Sequence, residues 1–165
     1  MKFIHPDGTV ESRELNDAPY NTVAHDIWLT PEWVVMPFQP FIIDRDRTAK
    51  GLPVFGWEPD LPIVLALIPR HNLQGEVRWI NTDLPAQYVM HTMTANVVGD
   101  QLILDAPIFQ EPPFPMENNF SEGDQAALFF SNAASYLGRW TVNLTTGAVK
   151  AEQLSDLPSE ISKVD

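Results

Sequence analysis

At 165 residues, with 44% hydrophobic and 19% charged side chains, the chain has the size and composition of one globular domain with a sizeable core, which excludes a disordered tail. A formal net charge of −12, with Arg45, Arg47 and Lys50 interrupted by Asp44 and Asp46, excludes a nucleic-acid partner, because phosphates demand clustered cations. The absence of cysteine excludes disulfides, zinc–thiolate sites, iron–sulfur clusters and cysteine nucleophiles together.

From the N-terminus, Met1 leads into Lys2-Phe3-Ile4-His5-Pro6, which has no apolar stretch of signal-peptide length. The longest apolar run, 63–69, is far too short to cross a bilayer, so the expectation is a cytoplasmic protein with no integral membrane segment. Short runs of apolar, β-branched and aromatic residues predict strands over 9–15, 22–30, 33–43, 63–68, 76–81, 88–97, 101–106, 126–131, 137–144 and 148–154. Pro6-Asp7-Gly8, Thr30-Pro31-Glu32, Gly99-Asp100 and Thr145-Thr146-Gly147 supply turn chemistry between them. Asp105 follows Leu102-Ile103-Leu104 and is expected to end its strand. Two longer loops, 44–61 and 107–124, interrupt the pattern, and the first has room for a helical turn. With no helical periodicity in any long stretch, the chain is predicted to be all-β.

On a strand over 22–30, Val23, His25, Ile27 and Leu29 share one face, because side chains alternate at period two. One imidazole among aliphatics is ordinarily a packed core residue. A second histidine, His91, holds a comparable place on the strand 88–97, 66 residues further on. About four strands fit in that interval at ordinary strand and loop lengths. A four-stranded unit that repeats is a propeller blade, whereas a sandwich is not expected to set a histidine at equivalent points of successive units. The expected fold is therefore a partial β-propeller of about three blades, forming a single domain over residues 1–165. Propellers close with at least about four blades. The chain is accordingly expected to be a fragment of a longer one, or to join copies of itself in a ring.

Both histidines then fall on innermost strands, where side chains of neighbouring blades converge on an axis. Two neutral imidazoles there begin a metal site, and nitrogen ligation suits Zn²⁺, Cu²⁺ or Fe²⁺. Two ligands are too few, so the others must come from outside this stretch or from water. His5, before a turn, and His71, in Arg70-His71-Asn72, read as solvated loop residues. Asp26 points away from His25 and is expected to bond neighbouring backbone. No phosphate loop, nucleophile elbow or calcium-loop pattern is present, and Ser121 and Ser131 have no candidate base nearby in sequence. Phe55, Trp57, Phe109, Phe114 and Phe120 lie outside the strands or at their ends. They pack a core or wall a tunnel for a hydrophobic substrate.

The segment His25-Asp26-Ile27-Trp28-Leu29-Thr30-Pro31-Glu32-Trp33-Val34-Val35 resembles the His-Asp-Phe-x-x-Thr-x-x-Tyr-x-Val segment of the carotenoid cleavage oxygenases. Gly51-Leu52-Pro53-x-Phe55-Gly56-Trp57 and Arg78-Trp79 are most similar to the lignostilbene dioxygenase branch of that family. Met90-His91-Thr92-Met93-Thr94-Ala95 resembles the family's Phe-His-x-x-Asn-Ala segment. The likeness continues through Asp105-Ala106-Pro107 and Phe114-Pro115 to the hairpin from Arg139 to Gly147. Thr94 stands where the family usually has Asn, and Met90 where an aromatic often precedes the histidine.

The resemblance implies a seven-bladed propeller whose axis holds a non-haem Fe(II) bound by four histidines. His25 and His91 match the second and third of these, Met90 and Phe114 match cavity-lining positions, and the other two ligand segments have no counterpart. The implied chemistry is oxidative cleavage of a conjugated carbon–carbon double bond by O₂ to two carbonyl products, with a hydroxylated stilbene or similar phenylpropanoid as the substrate. As an isolated segment the chain is expected to be inactive. The competing expectation is a metal-free propeller-type binding module in which both histidines are ordinary core residues.

Overall fold

Two four-stranded antiparallel meanders carry the architecture in the computed structural model, which describes residues 1–113 and 134–160. The chain begins with a hairpin of β1 (Lys2–Ile4) and β2 (Val10–Ser12). The first meander follows, built from β3 (Trp28–Leu29), β4 (Trp33–Phe38), β7 (Val64–Pro69) and β8 (Arg78–Asn81), in the order β3-β4-β7-β8. Between β4 and β7 the chain inserts a second hairpin, β5 (Phe41–Ile43) and β6 (Phe55–Trp57), whose connection includes the helical turn α1 (Asp46–Ala49). The second meander is β9 (Thr94–Val98), β10 (Gln101–Phe109), β11 (Ser135–Asn143) and β12 (Val149–Ser155), each paired with the next. Among the described residues these four sheets are separate and do not close on one another. Among the described residues no helix is long and apolar enough to cross a membrane.

The tight connections follow the turn chemistry in the sequence. Thr30 Oγ accepts the backbone N–H of Glu32 at 3.2 Å and of Trp33 at 2.9 Å, which folds β3 back onto β4. Gly99 and Gly147 have φ of 62° and 81°, the left-handed region that favours glycine in such turns.

Packing explains the continuous apolar run of β7. Flanked by β4 and β8, this strand has both faces covered, so it shows no polar alternation. Leu65 and Leu67 face one core together with Trp28, Val35 and Ile80 of the same meander. Leu102, Leu104, Ala106, Ile108, Trp140 and Val142 of the second meander complete that core, so the two meanders pack on each other through it. Val64, Ala66 and Ile68 face the opposite way, with Val34 and Phe38, onto a second cluster that receives Met1 and Phe3 from the first hairpin.

Several strands differ from their expected spans. The strand expected over 22–30 shrinks to Trp28–Leu29, with Trp28 buried and Leu29 51% exposed. Residues 23–27 lie outside any strand: Thr22 makes only an isolated bridge to Ile42, and Asp26 Oδ1 accepts the Ile27 N–H at 2.9 Å. The strand expected over 88–97 begins only at Thr94, leaving His91 on a bend. Gln39-Pro40 divides 33–43 into β4 and β5, and the loop expected at 44–61 contains β6. Asp105 does not end its strand, because β10 continues to Phe109. Pro107 is tolerated there because β10 meets β9 only as far as the Asp105–Thr94 pair, and pairing on that side resumes at the Tyr88–Phe109 bridge. Its missing N–H falls in the gap between the two. The strand expected over 126–131, and Phe114, Phe120, Ser121 and Ser131, lie outside the described residues.

Candidate functional site

His25 and His91 come together. Their ring centroids are 5.1 Å apart with the planes at 83°, an edge-to-face pair. His25 is exposed and His91 half-buried, so neither is the packed core residue that a lone histidine on an apolar face implies. Neither sits on a strand, contrary to the sequence reading. Each instead lies three residues before the first strand of a four-stranded meander, His25 before Trp28 and His91 before Thr94. The repeat seen in the sequence is real, but it places the histidines on the segments entering the meanders.

Hydrogen bonds fix both entering segments. Upstream, the fully buried Gln39 acts as a strand partner for Val89: its Nε2 donates to the Val89 carbonyl at 3.0 Å, and its Oε1 accepts the Val89 N–H. The backbone N–H of Gln39 donates to Thr22 Oγ at 3.0 Å, and its carbonyl accepts from the same hydroxyl at 2.8 Å. One residue therefore touches the chain shortly before each histidine. Downstream, Asp26 Oδ2 accepts from Thr92 N–H at 2.8 Å and from Thr92 Oγ at 2.9 Å. Asp26 does bond neighbouring backbone, as expected, but it also crosses to the other histidine's segment.

The strands behind the pair are tied by a second polar row. Trp28 Nε1 donates to the Asp105 carbonyl at 2.9 Å, joining β3 to β10. Across the second meander, Asp105 accepts Arg139 Nε at 2.7 Å and Nη2 at 2.8 Å, and it accepts Thr94 Oγ at 3.1 Å. The Asp105 hydrogen bond is the main cause pushing the Arg139 guanidinium upward. Thr94, the residue that departs from the Asn of the resembled motif, thus uses its hydroxyl on this row.

Met90 is half-buried against a cluster of Phe41, Tyr88 and Phe109, to which Val23 and Trp57 also pack. Phe41 meets Tyr88 edge-on at 5.5 Å and Phe55 at 5.8 Å. Burial pushes the Tyr88 phenol up to about 12, so it stays a neutral O–H at physiological pH. Phe109 is therefore core, while Phe55 is 46% exposed beside it. His5 and His71 are exposed, and His5 lies 3.5 Å from Glu11. An open cavity of about 670 Å³ is lined in part by Met1, Tyr20, Met36, Phe38 and Arg45 and includes neither His25 nor His91.

The donor set suits a divalent cation that takes further ligands from elsewhere. His91 Nδ1 lies 3.1 Å from the Glu160 carbonyl. A carbonyl only accepts, so this bond puts the proton on Nδ1 and leaves the Nε2 lone pair for a metal. Among the described residues there is no group of three or more His, Asp or Glu able to hold an ion, and His25 and His91 are two imidazoles. The roles of Gln39, Asp26 and Thr92 were missed in the sequence. The available signal was that Asp26 and Thr92 each directly follow a repeated histidine.

Comparison with known proteins finds oxygenases similar over nearly the whole chain. Isoeugenol monooxygenase of Pseudomonas nitroreducens is 26% identical over 165 residues, covering 99% of this chain and 33% of that protein. Lignostilbene-alpha,beta-dioxygenase isozyme III of Sphingomonas paucimobilis is 29% identical over 167 residues, covering 98% of this chain and 33% of that protein. The crystal structure of Pseudomonas brassicacearum lignostilbene dioxygenase superposes with a TM-score of 0.71 at 30% identity, covering 94% of this chain and 32% of that one. The chain thus spans about one third of the length of these relatives. The family described as retinal pigment epithelial membrane protein matches residues 1–165, the whole chain. The chain belongs to that family, the carotenoid oxygenases its two histidine segments resemble.

Proposed function

We propose that this chain supplies two imidazole ligands, His25 and His91, to a four-histidine Fe(II) centre in an oxygenase that cleaves a conjugated carbon–carbon double bond. The observation that carries the proposal is the meeting of two histidines, 66 residues apart in sequence, at 5.1 Å. The two meanders are then two blades of a seven-bladed propeller, and the β1–β2 hairpin belongs to a third. When bound, iron supplies the redox chemistry with O₂. The overall reaction balances with one double bond and one O₂ lost and two carbonyl groups formed. The residues of this chain hold and orient. His91 presents Nε2 because its Nδ1 proton is held by the Glu160 carbonyl. Met90, half-buried against the aromatic core cluster, lines the apolar side of the site that excludes water and presents the alkene. Phe114, the other cavity-lining position implied by the resemblance, lies outside the described residues. A hydroxylated stilbene or related phenylpropanoid is the substrate class, in keeping with the lignostilbene and isoeugenol enzymes it resembles.

Anaerobic titration of the 165-residue chain with Cu(II), followed by electron paramagnetic resonance, tests the ligand assignment. One ion coordinated by two imidazole nitrogens is expected. His25→Ala and His91→Ala should each weaken binding by about 100-fold, the usual scale when one of two linked contacts is removed. Binding unchanged by either substitution contradicts the proposal, and so does turnover of a hydroxylated stilbene by the chain alone.

A further inference from the structure

The two histidines belong to chain segments that no backbone sheet pairing joins, since residues 23–27 and 90–93 lie outside the strands. Their rings nevertheless meet edge to face. Asp26 Oδ2 bridges the segments directly beside the rings. It receives the Thr92 N–H at 2.8 Å and the Thr92 hydroxyl at 2.9 Å, while Oδ1 receives the Ile27 N–H at 2.9 Å. Asp26 follows His25 by one residue, as Thr92 follows His91, so this link has the same register as the imidazole pair. Thr92 is only 4% exposed, and its hydroxyl also lies 3.1 Å from the Ile27 carbonyl. A charged acceptor with two donors makes a strong, directional tie.

We infer that Asp26 is a positioning residue whose clasp on Thr92 sets the spacing and angle of the His25–His91 pair. The role as a device for metal binding rests on the reading of the pair as ligands; the clasp itself does not. Removing such a support for a ligating histidine typically lowers metal affinity by about 10–100-fold.

The test uses the full 165-residue chain, metal-free and then with Co(II) as the probe. In the metal-free chain, NMR should show a cross-peak between the His25 and His91 ring protons. Asp26→Ala should lose it while the amide signals of β4, β7, β10 and β11 keep their positions. Thr92→Ser, which keeps both donors, should retain the cross-peak, and Thr92→Val, which lacks the hydroxyl, should lose it. Full cross-peak intensity in a folded Asp26→Ala chain overturns the inference. Should that variant not fold, equal intensity in Thr92→Ser and Thr92→Val overturns it. Co(II) affinity should fall about 10–100-fold in Asp26→Ala. A clasp-dependent cross-peak without histidine-dependent Co(II) binding would sink the ligand reading and leave the clasp standing. Histidine-dependent Co(II) binding indifferent to Asp26 would do the reverse.

Discussion

Trp28→Ala is expected to lower the unfolding free energy by about 3–5 kcal/mol, the usual cost of emptying a large aromatic site. Trp28 is 2% exposed and packs at 5.9 Å on Trp140, so it joins the cores of the two meanders from the first strand of one to the third strand of the other. Its indole N–H also holds the Asp105 carbonyl. Trp28→Phe keeps most of the packing and loses that bond, which should cost about 1 kcal/mol for the hydrogen bond. Urea unfolding measures both, a lower midpoint at unchanged slope being the mark of lost stability. A loss below about 1 kcal/mol for Trp28→Ala would contradict a core shared between the meanders. Because Trp28 lies three residues after His25, this variant should also loosen the histidine pair.

Arg139→Ala should cost about 2–3 kcal/mol, below the usual cost of breaking a fully buried ion pair because the guanidinium is partly exposed. Asp105 is the enclosed partner, with its side chain 9% exposed against 36% for Arg139. Removing Arg139 strands a carboxylate that is itself largely enclosed and keeps, among the described residues, the Thr94 hydroxyl as a donor. Removing Asp105 leaves a guanidinium that can turn to solvent, so Asp105→Ala should cost less, about 1–2 kcal/mol. Replacing both, Asp105→Leu with Arg139→Met, should recover much of the single loss, since no buried charge is left unpaired. A double variant as unstable as the two single losses combined would show that the row acts through something other than charge pairing.

What the sequence revealed was local chemistry. Thr30-Pro31-Glu32, Gly99-Asp100 and Thr145-Thr146-Gly147 all turn where their side chains and glycines predict. The residues 22–30 misled because an apolar, β-branched run has the composition of a strand whether or not a neighbouring backbone is there to pair with it. Here the backbone bonds are scattered, Val23 N–H to the Phe41 carbonyl and Ile27 N–H to the Asp26 side chain, so no continuous ladder forms before Trp28. The β5–β6 hairpin was missed because two three-residue strands give too few alternations to separate from a loop. Asp105 was misread because a carboxylate after Leu102-Ile103-Leu104 looks like a strand end, whereas Arg139 and Thr94 on the two neighbouring strands pair it within β10.

The histidine pair was legible because a repeated residue at the interval of one structural unit survives in a single sequence. Its supports were not. Gln39 to Val89 and Asp26 to Thr92 are contacts across 50 and 66 residues, and nothing local distinguishes a buried clasping amide or carboxylate from a solvated one. The sequence therefore identified which imidazoles meet and left open what holds them.

One metal ion shared by His25 and His91 is the expected state of the proposed site. Crystals of the 165-residue chain soaked with Co(II) test it most directly, through an anomalous difference map at the cobalt edge. One strong peak is expected at about 2.1 Å from a single nitrogen of each ring, the ordinary metal–imidazole distance. An ordered chain whose two rings face each other with no cobalt between them, while the ion binds elsewhere, would contradict it.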